Sequence, residues 1–365
     1  MRRTSLLFAS FLVACGAAPA EDEPVTGPDN EVVSAPPEKH EDPVTAPPPS
    51  SPESELRPTA LANLGDSISQ GFDADDSEPL DLNALQAKAS NVFKDAPQFS
   101  WVQGTDSRVR SVASFYKAKN PSLVVTPFSR SGAEMVTTGG QPNFEDQAKA
   151  LAKSGAKPDL VYVLLGGNDI CHKAKSKTSD ATANLYPIEQ WRAAVTRGLE
   201  SLASTLPEKA TVRIVSMPRV DWLYEVAKDR KVTAKGTIDT PAGPVSGNVT
   251  KTCTELWTIS ATAGNGVCAI VTTETDASKR AAIGLRIDAY NEATAAEVMR
   301  FRADPAKNPK KIAFQIDWHG ASEKESSIGT HRFSSDEVSS RDCFHPSIAG
   351  QKAISTFVLE RARWR

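Results

Sequence analysis

The chain has 365 residues, room for one large domain or two ordinary ones. Its formal net charge of −3 offers no basic field for nucleic acid. The 25 prolines and a hydrophobic share of 39% point to a polar, proline-rich part that cannot build a core.

That part is N-terminal. Met1-Arg2-Arg3 is a positive start, and Leu6 to Ala14 is an apolar run too short to span a bilayer. The run ends in Leu12-Val13-Ala14-Cys15-Gly16, which resembles a bacterial lipobox. Residues 1–15 then form a lipoprotein signal peptide, with Cys15 acylated as the mature N-terminus. The competing reading is plain secretion after Ala18-Pro19-Ala20. Both export the protein and permit disulfides. Residues 16–58 carry eleven of the prolines, many acidic residues and no aromatic one. Runs such as Ala35-Pro36-Pro37 and Pro47-Pro48-Pro49 favour extended polyproline II, so the segment reads as a disordered tether, with His40 solvated in it.

From Thr59 to the C-terminus the pattern is α/β. Strands are expected at Thr59–Leu64, Ser122–Pro127, Leu160–Leu165, Val212–Ser216 and Ile312–Ile316. Several are continuous apolar or β-branched runs, as in a parallel sheet covered on both faces. Helical periodicity lies between them, at Ser107–Lys119, Phe144–Ala152, Ile188–Leu206, Ala277–Arg302 and Ser347–Trp364. The alternation predicts a three-layer, doubly wound, flavodoxin-like fold with a mostly parallel sheet of about five strands. Residues 236–272, rich in Gly, Thr and Pro, read as an irregular insertion.

Four short stretches carry chemistry. Leu61-Ala62-Asn63-Leu64-Gly65-Asp66-Ser67 is a strand, a tight turn and the start of a helix, which puts Ser67 at the carboxyl edge of the sheet. There it can serve as nucleophile, its own N–H facing a developing negative charge. Without partners the same residues are a turn and an N-cap. The strand Leu160–Leu165 runs into Gly166-Gly167-Asn168-Asp169, on the same rim. The Asn168 amide can donate to an oxyanion, or simply cap a helix. Ser129-Arg130-Ser131-Gly132 follows the second strand, and a glycine there lets a backbone N–H approach the substrate. Arg341-Asp342-Cys343-Phe344-His345 precedes the last helix. His345 suits a general base, with Asp342 fixing its tautomer. A metal site is disfavoured, since there is no HExxH, no CxxC pair and no second nearby His. His172 lies beside Asn168, whereas His319 and His331 sit in no motif and read as structural or surface residues.

In this order the blocks resemble the SGNH, or GDSL, hydrolase family. The resemblance implies Ser67 as nucleophile, Asp342 and His345 as charge partner and base, and Ser67, Gly132 and Asn168 as oxyanion donors. Ser100-Trp101-Val102-Gln103-Gly104, Gly167-Asn168-Asp169-Ile170-Cys171-His172 and Asp342-Cys343-Phe344-His345 are similar to the phospholipase-B-like branch, which implies a lipid or phospholipid ester. Ile68-Ser69 stands where the family name has leucine, an apolar position either way. No Gly-x-Ser-x-Gly elbow is present, which disfavours the ordinary α/β-hydrolase fold.

The expectation is an exported, lipid-anchored, monomeric serine esterase that needs no cofactor, metal or nucleic acid. Alternatives are a polysaccharide O-acetylesterase, an acyltransferase, or a non-catalytic binding lipoprotein on the same fold. If Asn168 and His345 act on one acyl centre, their loops converge. Cys171 and Cys343 are then expected to pair, leaving Cys253 with Cys268.

Overall fold

The computed structural model describes residues 56–365 apart from 90–91, 137–141, 175–179, 242 and 265. The signal peptide, Cys15 and nearly all of the tether lie outside the described residues. Among the described residues there are eight strands: β1 Ala60–Gly65, β2 Leu80–Asp81, β3 Val124–Pro127, β4 Leu160–Leu164, β5 Thr211–Ile214, β6 Lys231–Thr240, β7 Gly243–Thr252 and β8 Ala313–Ile316. The central sheet has the order β3-β1-β4-β5-β8, and every pair in it is parallel. All five strands expected from the sequence are in it.

The period of two decides what each face buries. Ala62, Leu64, Val161 and Val163 point to one side, into a core completed by the helices Phe144–Ser154, Ile188–Thr205 and Ala277–Ala303. Leu61, Leu160, Tyr162 and Leu164 point to the other, against the helix Val112–Lys117 and the C-terminal segment around Ile354, Phe357 and Val358. This is the three-layer, doubly wound α/β fold. Gly198 is where two helices on the first face come closest: a Cβ there would lie 2.0 Å from the Phe144 ring.

Three boundaries differ from expectation for local reasons. The helix expected from Ser107 begins at Val112, because Arg110 has φ +53° and Ser111 is the N-cap, its hydroxyl accepting from Ser114 N–H. The last helix, from Ile348, changes to a π-helical turn over Phe357–Arg361. The insertion is regular, not irregular. β6 and β7 form an antiparallel hairpin that pairs with β2, and a helix at Cys253–Thr262 follows. The buried positions of β6 are Val232, Ala234 and Gly236, and with a glycine and an alanine among them the alternation carries little apolar signal among Lys and Thr. The signal that was there is Thr252-x-x-Glu255, a capping box with both hydrogen bonds made.

Candidate active site

The interior strand β1, between β3 and β4, delivers Gly65, Asp66 and Ser67 to the carboxyl edge of the sheet. Gly65 is required by close approach: a Cβ would sit 2.3 Å from Ser69 Oγ and 3.0 Å from the Leu164 carbonyl oxygen. The Gln147 amide grips both backbone groups of Gly65, accepting from its N–H at 2.7 Å and donating to its C=O at 2.9 Å. Ser67 is followed by a single 3-10 turn, Ile68–Gln70, rather than a long helix, so little macrodipole acts there. Asp66 caps this turn, its Oδ1 accepting from Ile68 N–H at 2.9 Å. Gln351 Nε2 donates to Ile68 C=O at 3.0 Å and Ser100 Oγ to Ser69 C=O at 2.7 Å. Gln147, Gln351 and Ser100 were not singled out from the sequence as site residues. Their work is done on backbone atoms far away in the chain, which leaves no local signal.

His345 Nε2 lies 2.8 Å from Ser67 Oγ, and His345 Nδ1 lies 2.5 Å from Asp342 Oδ2. The other Asp342 oxygen accepts from the N–H groups of Phe344 and His345 at 2.9 and 3.0 Å, so the carboxylate is held in one orientation. Phe72 and Phe344 pack on the imidazole, with ring centroids 4.7 and 5.1 Å away. Burial opposes charging His345, but the carboxylates of Asp342, Asp73 and Asp66 outweigh it and hold the ring above the usual histidine range. Behind the base, Asp73 meets Arg341 Nε at 3.2 Å. Burial and the Asp342 charge push Asp73 up to about 7, and burial pushes Asp66 up to about 7.

Gly132 has φ +81°, a conformation that favours glycine, on the loop after β3. Asn168 opens the helix Gly167–Lys173, after β4. Loop and helix are stitched together at three points. Asn168 Nδ2 donates to Ala133 C=O at 2.9 Å, Asp169 accepts from Met135 and Val136 N–H at 2.7 and 3.0 Å, and His172 Nδ1 bonds Glu134 Oε1 at 2.6 Å. Asp169 is fully buried, which pushes it up to about 8 despite the two N–H groups.

Ser67, Gly132, Asn168, His172 and His345 line one open cavity of about 430 Å³. Residues 61–358 match the family model described as GDSL-like Lipase/Acylhydrolase. The chain belongs to that family. It is a carboxylic ester hydrolase. No curated protein matches it. Among solved structures, the hydrolase is similar to an active-site mutant of a family two carbohydrate esterase from Clostridium thermocellum in complex with "celluohexase". The two are 11% identical with a TM-score of 0.40, over 83% of this chain and 61% of that one. It is also similar to a carbohydrate acetylesterase family member from Sinorhizobium meliloti, at 13% identity and a TM-score of 0.34, over 82% of this chain and 95% of that one.

The cysteines of the hydrolase pair differently from expectation. The bonds are Cys171–Cys268 and Cys253–Cys343, not Cys171–Cys343 and Cys253–Cys268. The loops of Asn168 and His345 do meet at one cavity, but the insertion lies between them and takes a cysteine from each. Cys253 starts the insertion's helix beside the base loop, where Trp257 Nε1 also donates to Asp342 C=O at 3.2 Å. Cys268 sits against the helix of Asn168, and Gly266, Val267 and Ala269 beside it line the cavity. His331 bonds Glu325 at 2.7 Å and His319 bonds the Arg363 C=O at 2.5 Å, both apart from this cavity.

Proposed function

We propose that the hydrolase is a serine esterase working through Ser67, His345 and Asp342, exported and anchored by lipid on Cys15. Ser67 Oγ attacks the ester carbonyl as His345 Nε2 takes its proton, and the imidazolium is stabilised by Asp342. The oxyanion forms against the N–H groups of Ser67 and Gly132 and the second hydrogen of the Asn168 amide. His345 then protonates the departing alcohol. Water enters, gives its proton to His345 and releases the acid, restoring Ser67.

The observation that carries this reading is the unbroken chain of contacts from Ser67 Oγ through His345 to Asp342, 2.8 and 2.5 Å long. The phospholipase-B-like motifs and the phenylalanines Phe72, Phe93 and Phe344 at the cavity favour a lipid-type acyl ester. A second reading, removal of acyl groups from a polyol or glycan, is favoured by the polar His172, which lines the same cavity and is held by the buried Glu134 behind it. The test is a fluorophosphonate probe together with an ester panel. The wild type is expected to label at Ser67 and hydrolyse esters, and Ser67→Ala to lose both with its fold intact. Labelling at another serine, with turnover kept in Ser67→Ala, would refute the assignment.

A further inference from the structure

A second cavity, smaller and more enclosed, lies beside the first and shares Phe344 and His345 with it. Its wall includes Ile68, the residue after Ser67, with Val220, Leu223, Val226 and Phe333. These side chains are half-buried, and they come from the margins of three different hydrophobic clusters. The slot is therefore the seam where the clusters meet without filling the space.

Charge in its wall is already neutralised. Arg219 is bound to Asp221 and Asp288 at 2.7 Å each, and His331 to Glu325 at 2.7 Å. Trp222 is held between the guanidinium groups of Arg219 and Arg332, 4.6 and 4.4 Å from its ring centroid. Glu337 stands 3.8 Å from the other His331 nitrogen, and a neutral, apolar ligand suits such a wall.

Resting on the serine-esterase reading, we infer that this slot binds the acyl chain of the ester, and that its small size restricts that chain to a short one. In the covalent intermediate the acyl group stays on Ser67 while the alcohol leaves and water enters. The retained arm suits the enclosed slot, and the exchanging partners suit the open cavity. The slot measures about 60 Å³ against about 430 Å³ for the open cavity, so it suits a short chain and not a long one.

The experiment compares kcat/KM for p-nitrophenyl esters from acetate to dodecanoate, and for alkyl acetates of rising alcohol length. Wild type, Val226→Trp and Val226→Ala are measured, with probe labelling of Ser67 as the fold check. In the wild type, kcat/KM is expected to rise about tenfold from acetate to butanoate or hexanoate and to fall by dodecanoate. Val226→Trp fills the slot and is expected to lower the hexanoate-to-acetate ratio about tenfold. Val226→Ala is expected to move the optimum to a longer chain, and it carries the test alone if the tryptophan variant does not label. A flat acyl series, a dependence on the alcohol arm instead, or a wild-type optimum at dodecanoate would overturn the slot and leave the serine esterase standing. A wild type that does not label at Ser67 would overturn the reading beneath both.

Discussion

At the scale of single residues, the site depends on a base that must be neutral to accept a proton and an amide that must point at an oxyanion. His345 is held above the usual histidine range by the carboxylates around it, against the effect of its burial. Activity lost by protonating the base therefore returns as pH rises through that raised value, and the acid limb of kcat/KM is expected above about 6.5. Asp342→Asn removes the nearest carboxylate and destabilises the required tautomer. It is expected to move the limb to lower pH and to cut kcat by about 10⁴. A limb unmoved by Asp342→Asn would contradict the assignment of Asp342 as the charge partner. Asn168 gives one amide hydrogen to Ala133 C=O, and the proposed mechanism uses the other on the oxyanion. Asn168→Ala is expected to lower kcat by about 10²–10³, checked by steady-state kinetics alongside circular dichroism. An alanine variant with near-normal kcat would leave Asn168 as a brace for the Gly132 loop and no more.

At the scale of elements, the insertion is the piece that ties the site together. Its two cysteines reach in opposite directions, Cys268 to the helix of Asn168 and Cys253 to the loop of His345. The sequence separations are 97 and 90 residues, and in the chain-entropy model loops of that length stabilise by about 4–5 kcal/mol each. Non-reducing peptide mapping is expected to recover Cys171 with Cys268 and Cys253 with Cys343. Mild reduction is expected to lower kcat at temperatures where far-ultraviolet circular dichroism is unchanged, because an oxyanion donor and the base lose their shared brace before the sheet melts. Full activity after complete reduction would show that hydrogen bonds such as Trp257 to Asp342 C=O suffice to hold the base loop.

At the scale of the whole molecule, the hydrolase domain begins near Thr59, and the tether and Cys15 precede it. The proposed lipid on Cys15, followed by a proline-rich segment, would hold the domain near a membrane while leaving its site free to meet substrate. Cys15→Ser is expected to move the protein from the membrane fraction to the soluble fraction, with esterase activity preserved. Mass spectrometry of the mature N-terminus checks the modification directly. A mature chain starting at Glu21 would instead mean simple secretion.

The sequence by itself determined the parallel sheet, because β1 and β4 are buried on both faces and read as near-continuous apolar runs. It also singled out Ser67, Gly132, Asn168 and His345, which the structure brings to one cavity, and Asp342, which bonds His345. They sit in short motifs after strands or before the last helix, where local spacing carries the signal. Only the tertiary structure decided the disulfide pairing, the hairpin in the insertion, and the grip of Gln147, Gln351 and Ser100 on the nucleophile turn. The residues that meet in such contacts are separated by up to 283 positions, as between Gln351 and Ile68. Local propensity says nothing about which distant segment arrives, and four cysteines allow three pairings that sequence spacing cannot rank. The apolar slot beside His345 is of the same kind. It is made from the margins of three clusters, so no single segment announces it.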